Sequence, residues 1–362
     1  MAEITIDSRS IRAGGIGTYL QTLFSELSES AAIHSYAALV NCQESFAWSM
    51  FPFVMTLPVR PRVYSPTEHW LIPRAVATGS LLHVPHFNVP LFFRGPLVTT
   101  IHDLIHLQMP QLFQNPAAFW YVKWMISNAI RSARQIITGS NATKELLLRE
   151  GASEHRVHVI PYKVSRRLLE AEPDHEQMTS RGLDAQSYFL YVGRFQLHKN
   201  IHGLLDGFAE FCRRNRDVRL VTVVYKVDSR FQVGELLSAR GLTGRVVFLQ
   251  QASFAFLKAL YQGCLAVVLP SIAEGFGLPV LEAMTLGAPV IGSSIPPIVE
   301  VAQNCAVLFN PRAPRELAEA MFQLAGSSRL REDLIARGLT RSRDFIHSHV
   351  GRAHLRVYEA AF

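Results

Sequence analysis

Short apolar runs alternate along the chain with stretches in which apolar positions recur about every three to four residues. That is the pattern of βαβ units stacked around parallel sheets. The first unit reads as a strand over 3–7, a turn over 13–17 and a helix over 16–27. Further strands are expected at 36–40, 81–84, 97–102, 135–138 and 157–160, with helices over 120–131 and 141–150, the latter capped by Asn141. A polar stretch over 165–187, carrying Glu170, Glu172, Asp174 and Glu176, predicts a crossing between domains. The alternation then restarts. Strands are expected at 188–192, 220–224, 246–249, 266–269, 289–291 and 306–309. The helices between and after them are expected at 201–213, 254–262 and 278–286, and from Arg315 and Arg329 onward. Two such series predict two Rossmann-like domains facing a cleft, at 1–165 and 187–340, with 166–186 as linker and 341–362 as a terminal helix.

Length agrees with two domains, since 362 residues exceed the roughly 100–200 of one. With 49% hydrophobic and 18% charged residues the chain is globular, which excludes disorder. No run reaches the roughly 18 apolar residues of a membrane span, and the acidic start MAEITIDSRS is unlike a secretory signal. Cysteines 42, 212, 264 and 305 are scattered, so neither a disulfide framework nor a cysteine zinc site is expected, and a cytoplasmic setting fits. The net charge of +7 divides as 13 basic against 10 acidic residues up to position 165 and 23 against 19 beyond it. The excess is therefore shared between the halves, which suits anionic small molecules or an anionic membrane surface. No recognition motif points to nucleic acid.

The richest segment runs from Leu269 through Ser271, Glu274-Gly275-Phe276-Gly277-Leu278 and Pro279 to Glu282 and Met284. It passes from a buried strand through a glycine-rich loop into a helix, whose free N–H groups attract phosphate or hydroxyl oxygens. Glu274 and Glu282, spaced E-x7-E, can each accept from two vicinal sugar hydroxyls. A solvated loop acid and a dipole partner are the bland readings of the same pair. Upstream, Val192-Gly-Arg194 leads to Lys199-Asn200, again from strand to loop to helix. A guanidinium and an ammonium at a sheet's carboxyl edge suit a diphosphate, although a solvated basic loop has the same composition.

Taken together these motifs, with Gly287-Ala-Pro-Val290, Ile295-Pro296, Glu300-Val301 and Phe309-Asn-Pro311, resemble the retaining glycosyltransferases of family 4, which have the GT-B fold. The resemblance implies a nucleotide-sugar donor held mainly by the second domain. Arg194 and Lys199 would meet the diphosphate, Glu282 the ribose, and Glu274 with the backbone of 275–278 the sugar. Val224-Tyr-Lys-Val227 and Gln250-Gln251 stand where the family usually places glycines.

In the first half, Gly14-Gly15-Ile-Gly17-Thr-Tyr19 opens the first helix and looks like the same family's N-terminal loop, near the leaving phosphates. A structural turn is the alternative. His102 and Asp103 follow a strand, similar to the family's active-site histidine, with Asp103 expected to orient the imidazole. His102 with His106 also spells H-x-x-x-H, but no third ligand accompanies it, no D-x-D occurs, and the family works without metal or other cofactor. Two aromatic, proline-rich stretches at 46–58 and 85–93 read as buried loops or core, or else as a surface for a membrane and a lipid-linked acceptor.

The expected reaction is transfer of a hexose, with retention, to a saccharide or lipid-linked acceptor in surface polysaccharide or glycolipid synthesis. The N-terminal and His-Asp segments look most like bacterial mannosyltransferases using GDP-mannose. UDP-glucose or another UDP-hexose is the other donor considered. An NAD-dependent oxidoreductase lacks its G-x-G-x-x-G here, and a non-catalytic sugar-binding subunit would not need both Glu residues with Arg194 and Lys199. The protein would then work in the cytoplasm, with peripheral contact to the inner face of the plasma membrane.

Overall fold

The computed structural model describes residues 3–42 and 47–362, so Phe46 of the first aromatic stretch lies outside the described residues. Two units are separate in their internal packing: 1–162 with 348–362, and 163–347.

The first unit is built on seven parallel strands: β1 (Ile4–Asp7), β2 (Tyr36–Asn41), β3 (Val54–Val59), β4 (Leu81–Val84), β5 (Leu97–Thr100), β6 (Gln135–Thr138) and β7 (Val157–Val159). They lie in the order β3-β2-β1-β4-β5-β6-β7. β1, β4 and β5 are buried at every position, as strands covered on both faces must be. Helix α1 (Gly14–Leu27) and the C-terminal helix Val350–Glu359 share one core layer, with Leu20, Phe24, Val357 and Tyr358. Helices α2 (Glu68–Ala75) and α3 (Pro116–Ser132) share the other, with Ile72, Met125, Ile126 and Ala129.

The second unit has six parallel strands: β8 (Tyr188–Phe195), β9 (Arg219–Val227), β10 (Val246–Gln250), β11 (Ala266–Leu269), β12 (Val290–Ser293) and β13 (Val307–Phe309). Their order is β10-β9-β8-β11-β12-β13. In both sheets the strand order reverses beside the unit's first strand, which is the Rossmann arrangement. Ligands of such sheets bind outside the carboxyl ends of the strands at that reversal.

Several expectations are corrected. The helix expected over 120–131 begins at Pro116, where Asn115 accepts from Ala117 N. The helix expected at 141–150 is capped by Ser140 rather than Asn141, because the Ser140 hydroxyl accepts from Thr143 N at 3.1 Å. The polar 165–187 stretch holds two short helices, Arg166–Glu170 and His175–Ser180, packed on helix Phe254–Gly263 of the second unit. Lys258 fastens them by donating to Leu169 O and Ala171 O. The segment that belongs with the first unit starts at Ser348, after a helix that runs unbroken from Ser328 to Ile346. Of the described aromatic stretches, 54–59 is strand β3, and Phe51, Phe87 and Val89 are core. Phe92 is the aromatic there that stays exposed, at 45%.

Candidate functional site

In the second unit the reversal lies between β8 and β11, and the expected residues gather where those strands end. The chain leaves β8 through a 3-10 turn, Leu197–Lys199, and Asn200 takes a left-handed backbone with φ 53°. Asn200 binds three segments together: its amide donates to Pro270 O at 3.0 Å and Pro311 O at 2.7 Å, while its oxygen accepts from Gly203 N. Ile272 N donates to His198 O at 2.8 Å, which holds the β8 and β11 loops side by side.

Across this junction Lys199 Nζ lies 2.6 Å from Glu274 Oε1, and Ser271 Oγ donates to the same oxygen at 2.6 Å. The Glu274 side chain is only 9% exposed. Burial alone would raise its pKa, but the Lys199 charge and the hydrogen bonds from Lys199 and Ser271 prevail and hold it below the ordinary value. Glu274 is thus a fixed anion. An ammonium has three donors, so Lys199 keeps two for another ligand. Arg194 is half-buried and makes no ion pair among the described residues. Its carbonyl accepts from Tyr191 OH, which sets the β8 exit.

Helix α4 (Leu278–Thr285) starts after Gly277, whose φ of 93° demands glycine, and Pro279 sits in the first turn. Gly275 and Phe276 are buried in the preceding loop. Glu282 accepts from Tyr261 OH at 2.6 Å, and burial pushes its pKa up to about 7 despite that bond. Half-exposed Tyr225 is close enough to feel its charge. Where the family usually has glycines, the chain continues β9 to Val227, and Gln251 itself adopts φ 66°.

In the first unit Gly14 opens α1 with φ 48° and Gly15 has open space around it. Gly17 has a steric duty, since a Cβ there would lie 2.4 Å from Ile11 O. His102 is half-buried, and desolvation pushes its pKa down to about 4. Its Nε2 lies 3.1 Å from Pro85 O, so that nitrogen carries the proton, and Nδ1 accepts from Tyr162 OH at 2.6 Å. Asp103 was expected to orient this imidazole. Tyr162 and Pro85 do so, and an Asp103 oxygen accepts from Ile105 N instead.

Sequence reasoning passed over two groups at this sheet's reversal, between β1 and β4. Arg9, with a 3% exposed side chain, grips Asp7 at 2.8 and 2.6 Å and reaches Glu68 at 2.8 Å. Glu68 also accepts from Tyr64 N and from the Asn88 amide. The signal was an Asp-Ser-Arg run ending the first strand. The second group is a chain of neutral hydrogen bonds. His354 Nδ1 must donate to Val350 O, so Nε2 accepts from Tyr19, Tyr19 accepts from Thr100, Thr100 from His83 Nε2, and His83 Nδ1 from Tyr358, all at 2.8–2.9 Å. The members are 275 and 335 positions apart in sequence, which hid the network.

Comparison with known proteins identifies the family and the fold. The family description "Glycosyl transferases group 1" matches residues 174–341, and "Glycosyltransferase Family 4" matches 13–165. The O-antigen chain mannosyltransferase RfbU of Salmonella typhimurium is 28% identical over 71% of this chain and 69% of its own length. The alpha-D-kanosaminyltransferase of Streptomyces kanamyceticus is 28% identical over 66% of this chain, which spans 63% of that relative. O-antigen chain mannosyltransferase B of Escherichia coli is 26% identical over 73% of this chain and 70% of its own length. Among solved structures, sucrose-phosphate synthase from Thermosynechococcus elongatus superposes with a TM-score of 0.80 at 20% identity, covering 99% of this chain and 98% of the other. Anabaena HepE in complex with UDP and glucose gives 0.77 at 18%, with 99% of both chains covered. These likenesses extend the shared fold over both units. The two family matches lie one on each half of the chain, and together with the parallel-sheet units they establish that it belongs to the family 4, group 1 glycosyltransferases of GT-B fold.

Proposed function

We propose that the chain is a retaining, metal-independent hexosyltransferase that moves mannose from GDP-mannose to a hydroxyl of a saccharide or lipid-linked acceptor during surface polysaccharide or glycolipid synthesis. The printed activities of the O-antigen relatives support the sugar and the setting. The observation that carries the reading is the buried Lys199–Glu274 pair at the sheet reversal, with Glu282 a few residues further on α4.

Glu274 and the loop backbone of Gly275, Phe276, Gly277 and Leu278 hold the hexose. Glu282 accepts from the ribose hydroxyls, and Arg194 with Lys199 compensates the departing diphosphate. The bond from the anomeric carbon to the phosphate oxygen breaks, the acceptor oxygen bonds to the same face, and its proton passes to the phosphate. Gly14, Gly15 and Gly17 of the first unit offer a backbone loop to a donor phosphate. His102 serves as a fixed neutral group and Asp103 as part of its loop. The protein works at the cytoplasmic side of a membrane and touches it peripherally.

A thermal-shift panel of GDP, UDP, ADP and NAD in excess EDTA tests this. A large GDP shift is expected. A UDP shift instead moves the donor to a UDP-hexose, and an NAD-only shift rejects glycosyl transfer. Product analysis that finds the inverted anomer rejects retention.

A further inference from the structure

The first half of α3 stands proud of its unit. It reads Pro-Ala-Ala-Phe-Trp-Tyr-Val-Lys-Trp, and Trp120, Tyr121 and Trp124 are 62, 41 and 46% exposed. At 3.6 residues per turn, Trp120, Trp124 and Arg131 fall within about 40° of one another around the helix axis. They lie opposite Met125 and Ala129, which face the core. Lys123 Nζ sits 5.3 Å from the Trp120 ring. α2 covers the same sheet face and exposes Trp70, whose ring lies 4.9 Å from that of exposed Phe92.

Charge singles out the same region. Between Ala47 and Lys144 there are eight lysines and arginines against two acids, a local excess of six where the first 165 residues as a whole carry an excess of three. One of the two acids, Glu68, is buried against Arg9. Arg60, Arg62, Arg74, Arg94, Lys123 and Arg131 are all exposed. No described helix is long and apolar enough to cross a membrane. Interfacial aromatics among cations, with no acid on α3, complement a surface of lipid phosphates.

We propose that the outer face of α2 and α3 docks on the surface of an anionic phospholipid bilayer, with Trp70, Phe92, Trp120 and Trp124 seated at headgroup level. This deepens the membrane contact proposed above, relocates it chiefly to α3, and is independent of the donor.

The test is flotation of the full chain with phosphatidylcholine vesicles and with vesicles containing about one third phosphatidylglycerol. Each surface cation is worth about fivefold in affinity, so binding at least tenfold tighter to the anionic vesicles is expected, weakening with salt. Trp120→Ser with Trp124→Ser should lower flotation at least tenfold. Lys123→Glu with Arg94→Glu should do so on anionic vesicles with all the tryptophans retained. Transfer to a water-soluble acceptor should stay at the wild-type level in both. Equal flotation of variants and wild type, or none of the wild type, overturns the proposal, as does a concentration-dependent dimer that the tryptophan variant abolishes in place of flotation. If flotation fails while transfer persists, the glycosyltransferase reading stands alone; intact flotation without transfer has the opposite meaning.

Discussion

Lys199 Nζ and Glu274 Oε1 lie 2.6 Å apart, joining the loop after β8 to the loop after β11 where the strand order of the second sheet reverses. Two requirements meet in that contact: a poorly exposed carboxylate needs a cation, and under the proposed function a departing diphosphate would call on the same one.

Lys199→Ala should therefore do two things. Turnover should fall at least tenfold, because a charge contact to the leaving group strengthens as the bond breaks. The apo protein should also lose about 3 kcal/mol of stability at neutral pH, since Glu274 is left buried and unpaired. Adding Glu274→Gln should restore most of the stability and none of the turnover. Denaturation curves and initial rates check both, and a variant with wild-type turnover refutes the assignment.

Much of the second unit was legible because its chemistry is local. Strand end, glycine loop, Pro279 and both acids fall within a single run of residues, and the loop geometry follows from Gly277 alone. The first unit was less so. Strand β3 hides in an aromatic, proline-rich stretch whose apolar residues lack a clear period, helix α2 follows it unassigned, and Arg9 finds Glu68 only after the chain has laid β2 beside β1 and β3 beside β2. The partner of His102 was misjudged for a related reason. Asp103 is its neighbour in sequence, while Tyr162 is 60 positions away and arrives only when β7 pairs with β6.

Glu282, poised at about 7, predicts that nucleotide binding is linked to pH. Only the carboxylate can accept from two ribose hydroxyls, so below pH 7 the group must lose a proton as the nucleotide binds. Affinity for the nucleoside diphosphate should rise up to tenfold per pH unit below about 7 and level off above it. Titration calorimetry in two buffers at pH 6 should register proton release. Glu282→Gln should bind weakly with a flat profile, and a sloping profile in that variant would remove Glu282 from the linkage.

His102 should remain neutral at every working pH. Its basicity is pushed down to about 4, with Nε2 protonated toward Pro85 O and Nδ1 facing Tyr162. Nitrogen-15 spectra of the imidazoles should find one tautomer from pH 6 to 9, and rate profiles should lack a limb from this residue. Tyr162→Phe would leave Nδ1 without a donor, costing about 1–2 kcal/mol and raising the His102 pKa. Titration of His102 near 6.5 in the wild-type protein would contradict this.

Gln251 holds a left-handed backbone, φ 66°, that side chains with a Cβ adopt at a cost of about 1–2 kcal/mol. Gln251→Gly should therefore raise the midpoint of urea unfolding slightly, the gain being offset in part by the freer unfolded chain. A loss of stability would mean that the Gln251 side chain supplies contacts worth more than the strain.

The first unit should be the acid-sensitive half. His83 and His354 are buried neutral, His354 down to about 4 and His83 well below its ordinary value, and His102 is likewise about 4. A histidine depressed in the folded state gives stability that is complete above the unfolded value of 6.5 and is lost as pH falls toward the folded one. For His354 and His102 the loss approaches about 3 kcal/mol each. Protonating His354 also leaves Tyr19 facing a donor, which breaks the chain that ties the C-terminal helix to β4, β5 and α1. The four tryptophans, at 48, 70, 120 and 124, all belong to this unit, so their emission reports it alone. Emission should shift cooperatively between pH 6 and 4, and Tyr358→Phe, which strips the donor from His83, should move that transition toward neutral pH. Unchanged emission down to pH 4 would show that these histidines find charged-state partners the folded network does not provide.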